Sequence, residues 1–85
     1  MTVRKPTEEE IRETENWGTW EKEASKFPWY YDAKETCYIL EGEAKVYDAA
    51  GNTIHFGKGD WVEFEKGLEC TWEITSPIKK KYMLE

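Results

Sequence analysis

The sequence predicts an all-β barrel or sandwich in a single domain, with one short helix near its N-terminus. Two patterns carry that prediction. Residues 69–75 alternate, with Cys70, Trp72 and Ile74 on one face and Glu69, Thr71, Glu73 and Thr75 on the other. This is the signature of a half-buried antiparallel strand. Short runs of β-forming residues also recur every 8–12 residues or so between glycine-bearing turns, a spacing of sandwiches and barrels rather than of parallel sheets.

Thr7-Glu8-Glu9-Glu10 reads as a capping box, with Thr7 at the N-cap and Glu10 three residues on. The acidic first turn suits the positive end of a helix, and Gly18 marks a natural stop, so a helix is predicted over 8–15. Ile11 is its only apolar anchor, which leaves Trp17 and Trp20 to dock it. Residues 1–18 are therefore expected to form an N-terminal arm and residues 19–85 the barrel.

Strands are predicted over 36–40, 44–47, 53–56, 61–64, 69–75 and 78–84, from their content of β-branched and aromatic residues. Asp48-Ala49-Ala50-Gly51-Asn52, Gly57-Lys58-Gly59-Asp60 and Glu65-Lys66-Gly67 supply the turns. Ser76-Pro77 is expected to separate the last two strands, because proline has no N–H for a ladder.

Composition narrows the partners. At 85 residues one domain is the only sensible count and its core is small, so the five Trp and five Tyr matter as buried apolar area. A chain this short also gains from burial against a second copy, and a homodimer is expected. The net charge of −6 and the lack of clustered Lys and Arg beyond Lys79-Lys80-Lys81 argue against nucleic acid or an anionic membrane as partner. No apolar run approaches the ~20 residues of a membrane span, and residues 1–6 lack the apolar middle of a signal peptide, so a cytoplasmic location is expected. Cys37 and Cys70 fit neither a disulfide framework nor a C-x-x-C unit, and are expected to be reduced.

Glu35-Thr36-Cys37-Tyr38-Ile39-Leu40-Glu41-Gly42 and the later run from Gly59 to Trp72 resemble the two motifs of the cupins, small double-sheeted jelly-roll barrels. The first cupin motif has two histidines one residue apart, a short spacer, then a glutamate and, six residues later, a glycine. Here the glutamate and glycine halves stand as Glu35 and Gly42, while Trp29 and Tyr31 fall at the histidine positions. In the second motif Glu65 stands for the proline of a Pro-x-Gly unit and Cys70 for the histidine. The resemblance covers roughly residues 19–84 and implies a cupin-type double-stranded β-helix. Phe27-Pro28-Trp29-Tyr30-Tyr31 and Lys66-Gly67-Leu68-Glu69-Cys70-Thr71-Trp72 are further similar to small cupins related to (S)-ureidoglycine aminohydrolase. That likeness implies nitrogen-rich metabolites, through an activity that is metal-dependent in the family.

Strand phase then defines a pocket. Side chains alternate, so Glu35, Cys37 and Ile39 share a face, as do Trp29 with Tyr31 and Cys70 with Trp72 and Ile74. If the motif glutamate points inward, the cavity holds Glu35, Cys37, Cys70, Tyr31, Trp29 and Trp72. Burial among aromatics is expected to raise the Glu35 pKa, suiting a general acid or base assisted by Tyr31 and Cys70; the plainer alternative is a structural acceptor satisfied by Tyr31 or a backbone N–H. Trp29, Cys37, Trp72 and Lys80 are expected to touch ligand, Lys80 at the cavity mouth because it shares the phase of Ile78 and Tyr82; the alternative for Lys80 is a charge that protects an edge strand. His55, between Ile54 and Phe56, is expected to face outward.

No cofactor is expected. A metal, if bound, would be zinc or iron held by Glu35, Cys37 and Cys70, a carboxylate and two thiolates suiting those ions better than magnesium. If both thiols face inward from neighbouring strands, a reversible disulfide is a further expectation. Three readings stay open from sequence: a metal-free barrel binding a small polar or aromatic metabolite, a metalloenzyme built on Glu35 and the thiols, and a filled, non-catalytic interaction module.

Overall fold

The computed structural model describes residues 1–85. In chain order the elements are β1 (Thr2–Arg4), α1 (Glu8–Glu13) running into a 3-10 turn (Thr14–Asn16), β2 (Gly18–Lys22), β3 (Ser25–Tyr30), β4 (Glu35–Tyr47), β5 (Thr53–Gly57), β6 (Trp61–Phe64) and β7 (Glu69–Leu84). Every strand pair is antiparallel.

Two long strands organise the barrel. The N-terminal half of β4 pairs with β6 and with the C-terminal half of β7, and β1 and β2 extend that layer at its two edges. The C-terminal half of β4 pairs with β5 and with the N-terminal half of β7, which β3 flanks. β4 and β7 thus cross from one layer to the other, giving a jelly-roll barrel of antiparallel strands.

Sequence expectation and structure differ at the corner. Residues 36–40 and 44–47 are parts of one strand, as are 69–75 and 78–84. Register shifts between Ile39 and Ala44 absorb the bend, with Gly42 at φ +94° and Ser76-Pro77 opposite it. A Cβ added at Gly42 would run into the Pro77 carbonyl. Pro77 does not break the strand because it lies at a bulge, where a ladder N–H is dispensable. The inward phase of β7 survives the bend: Cys70, Trp72, Ile74, Ile78 and Lys80 are all buried.

β1 has no counterpart in the sequence prediction. Val3 stands opposite Val62 in β6, and the N-terminal ammonium reaches Glu65 at 2.6 Å. The capping box at Thr7 and Glu10 is present, and Arg4 grips the Glu10 carboxylate through two bonds of 2.8 and 2.6 Å. No residue of α1 is buried; beyond the pairing of β1 with β6, the arm meets the barrel through Lys5 on Asp60 and Trp17 on Trp61, whose ring centroids are 5.3 Å apart.

The core is aromatic at its centre. Trp72 stacks on Phe27 at 6.1 Å and meets Phe56 and Phe64 at 5.4 and 5.6 Å, while Tyr31 stacks on Phe64 at 4.6 Å. Such pairs contribute about 0.5–1.5 kcal/mol each beyond their buried area. No helix is long and apolar enough to cross a membrane.

Candidate functional site

Lys80 sits inside the barrel, only 4% exposed, because the even-numbered residues of β7 face inward. Its Nζ donates to Glu35 Oε2 at 2.5 Å and approaches Cys37 Sγ at 3.5 Å. Glu35 and Cys37 reach it from neighbouring positions of one face of β4, whose Ile39 stands opposite Lys80. The ammonium also lies over the indoles of Trp20 and Trp72, 4.7 and 4.9 Å from their ring centroids, and 6.0 Å from that of Tyr82. A buried charge needs a partner of opposite sign and polar or π neighbours to replace lost water, and Lys80 has all three.

Cys37 is fully buried, and its thiol donates to the same Glu35 oxygen at 2.8 Å. Burial pushes the thiol pKa far up and the charge of Glu35 adds to this, outweighing the opposing pull of Lys80. Cys37 is therefore a neutral donor to the carboxylate and not a thiolate. Tyr31, 3% exposed, accepts from Trp72 Nε1 at 3.1 Å. Burial first, then the nearby charge of Glu35, pushes its phenol pKa strongly upward, so it stays an O–H donor.

Glu35, Lys80 and Tyr31 form the floor of a cavity of about 230 Å³, with Cys37 behind it. Trp20, Phe27, Trp72 and Tyr82 make its walls, and Glu35 and Lys80 are its only charged residues. Trp29 and Leu84, 49% and 56% exposed, frame the mouth. Larger hollows on the outer surface, up to about 520 Å³, are more open, and no buried charged side chain lines them.

The structure brings together most of the residues that strand phase selects, with three corrections. Trp29 does not fill the interior: β3 has β7 as its one strand neighbour, so Trp29 stands at the rim, edge-on to Tyr31 at 6.5 Å. Cys70 does not join Glu35. It lies at the start of β7, opposite Trp29 in register, with its Sγ 3.6 Å from the Trp29 carbonyl and its pKa pushed up to about 11 by burial. Cys37 lies opposite Tyr82, toward the other end of the same strand, and the two thiols are unpaired. Glu35 is satisfied by Lys80 and Cys37, not by Tyr31 or a backbone N–H. His55 is exposed on the outer face.

The proposed metal ligands Glu35, Cys37 and Cys70 do not fit an ion. No three His, Cys, Asp or Glu side chains gather in a metal-holding arrangement. Glu35 is already committed to an ammonium, Cys37 keeps its proton, and Cys70 lies toward the other end of β7.

Trp20, Phe27 and Tyr82 belong to the site without having been selected from sequence. The signal was present in part: Trp20 stands directly across from Lys80 in the β2–β7 register, and Tyr82 shares its phase.

Residues 9–82 match the EutQ-like cupin domain family. The chain belongs to this cupin family. The cupin is also similar to a DUF861 family protein from Thermotoga maritima, 48% identical over 99% of this chain and 98% of that one, with a TM-score of 0.95. The EutQ protein of Clostridium difficile superposes with a TM-score of 0.72 at 18% identity, over 79% of this chain and 52% of that one. A DUF1255 protein of unknown function from Acidithiobacillus ferrooxidans superposes at 0.70 and 16% identity, over 74% and 60% of the two chains. At such identities these last two carry the fold alone. No curated protein matches the sequence. These matches support the cupin fold; they do not support the narrower likeness to the ureidoglycine aminohydrolase relatives.

Proposed function

We propose that this cupin is a metal-free small-molecule binder whose ligand enters past Trp29 and Leu84 and meets Glu35, Lys80 and Tyr31 at the cavity floor. The observation that carries this reading is the buried Glu35–Lys80 pair at the closed end of an aromatic-walled opening of about 230 Å³. Breaking a buried pair by removing one partner is costly, and an apolar pair of the same size is often as stable, so a barrel that only needed filling gains little from this one. Few convergent polar groups in a mostly aromatic cleft are the usual composition of a ligand site.

Should the bound molecule also react, Glu35 is the acid or base of this proposal, and Lys80, 2.5 Å from Glu35, is the charge that steadies a developing anion. Trp72 and Trp29 supply stacking surface. Cys37 acts behind Glu35 rather than on the ligand, and Cys70 has no part in the step. A homodimer remains part of the proposal, supported by the exposed Tyr30 and Leu84, each 56% accessible. Two unpaired thiols suit a reducing compartment such as the cytoplasm.

Tryptophan fluorescence with a set of small planar fragments tests the reading. Saturable quenching in the wild type, lost in the double variant Glu35→Gln/Lys80→Met, is the expected result. Quenching that rises linearly and equally in both proteins would contradict it.

A further inference from the structure

One carboxylate oxygen and one hydroxyl proton at the cavity floor have no partner in the protein. Glu35 Oε2 receives both the Lys80 ammonium and the Cys37 thiol, which leaves Oε1 without a hydrogen bond on a residue that lines the cavity. Tyr31 receives the Trp72 indole N–H on its oxygen, while its own hydroxyl proton goes to no protein acceptor. Tyr31 and Glu35 are 3% and 7% exposed, and both line the same cavity. No side-chain polar atom that is fully buried lacks a partner, so the free Glu35 oxygen opens onto the cavity, where an entering ligand can complete it together with the Tyr31 hydroxyl.

Charge narrows the occupant further. Glu35 and Lys80 cancel, so a carboxylate ligand would face Glu35 and an ammonium ligand would face Lys80, each buried beside a like charge. The two indoles best placed to cage a cation, those of Trp20 and Trp72, are already occupied by Lys80. The walls are flat rings, and about 230 Å³ lies below the range of roughly 300–1,000 Å³ typical of drug-sized ligands.

Building on the small-molecule reading above, we infer that the cavity takes an uncharged planar carboxamide or lactam of one or two rings. Its N–H donates to Glu35 Oε1 and its carbonyl accepts from the Tyr31 hydroxyl. The ring body lies among Trp20, Phe27 and Trp72.

Benzamide, benzoate and benzamidinium share one ring and differ only in the terminal group, so their affinities separate charge from shape. The readout is the indole N–H resonances of Trp20 and Trp72 in the 15N-labelled protein. The expected result is benzamide tighter than both ions by about tenfold or more, the scale of one hydrogen bond to a charged group. Tyr31→Phe is expected to weaken benzamide about fivefold; an unchanged benzamide affinity there overturns the role given to Tyr31. If Tyr31→Phe does not fold, the wild-type series still decides the class. Benzoate or benzamidinium binding best overturns the uncharged class and leaves the small-molecule reading standing. No indole shift with any of the three overturns both.

Discussion

Lys80 Nζ lies 2.5 Å from Glu35 Oε2 between β7 and β4, with both side chains buried and two indole faces within 5 Å of the ammonium. A charge so placed is costly to orphan. Lys80→Met leaves Glu35 buried without a counter-charge and should destabilise the protein by about 3–5 kcal/mol. The double variant Glu35→Gln/Lys80→Met, which removes both charges, should recover most of that loss. Urea unfolding of the four proteins of the cycle measures it; a double variant as unstable as the sum of the singles would show that the two residues are not coupled.

Gly42 and Gly51 separate crowding from backbone strain. Both hold φ near +90°, but a Cβ at Gly51 would meet nothing within 4 Å, whereas one at Gly42 strikes the Pro77 carbonyl where β4 and β7 bend. Gly51→Ala should cost about 1–2 kcal/mol, the price of a left-handed alanine. Gly42→Ala should cost clearly more, because the backbone at the corner must also move. Equal losses in thermal unfolding would mean that the corner is not tightly packed.

Stability should fall on the alkaline side. Cys70 titrates near 9.0 when unfolded and at about 11 when folded, so below pH 9 its contribution is fully present. Between pH 9 and 11 the unfolded chain loses the proton first, and stability declines with rising pH. Burial shifts Cys37 and Tyr31 in the same direction and extends the decline upward. Cys70→Ala should flatten the pH 9–11 slope of the melting temperature; a slope unchanged by that substitution would place the titration elsewhere.

Added zinc or cobalt should leave the melting temperature unaltered, and cobalt should give no thiolate charge-transfer band, since Glu35, Cys37 and Cys70 do not converge. A saturable band at one equivalent would show that the barrel rearranges to bind metal.

The sequence carried the faces of the strands better than their heights along the barrel. Alternation placed Cys70, Trp72 and Ile74 inward, and the structure buries all three. Phase does not say how far along the barrel an inward residue falls. Cys70 and Cys37 both point in, yet they sit toward opposite ends of β7's pairing with its neighbours, and a two-thiol cluster does not form. Pro77 and Gly42 read as strand breaks because local propensity cannot distinguish an end from a bulged corner. β1 escaped notice because three residues carry too little periodicity, its place being set by the pairing of Val3 with Val62. Lys80 was legible at the cavity mouth by its phase, but neither its depth nor its partner was, since the ion pair joins positions 45 residues apart.

The ammonium resonances of the 15N-labelled protein report most directly on Lys80. The account predicts one lysine NH3⁺ signal protected from solvent exchange and shifted upfield by the rings of Trp20 and Trp72, absent in Glu35→Gln/Lys80→Met. Lysine signals that all exchange rapidly at solvent-exposed positions would contradict it.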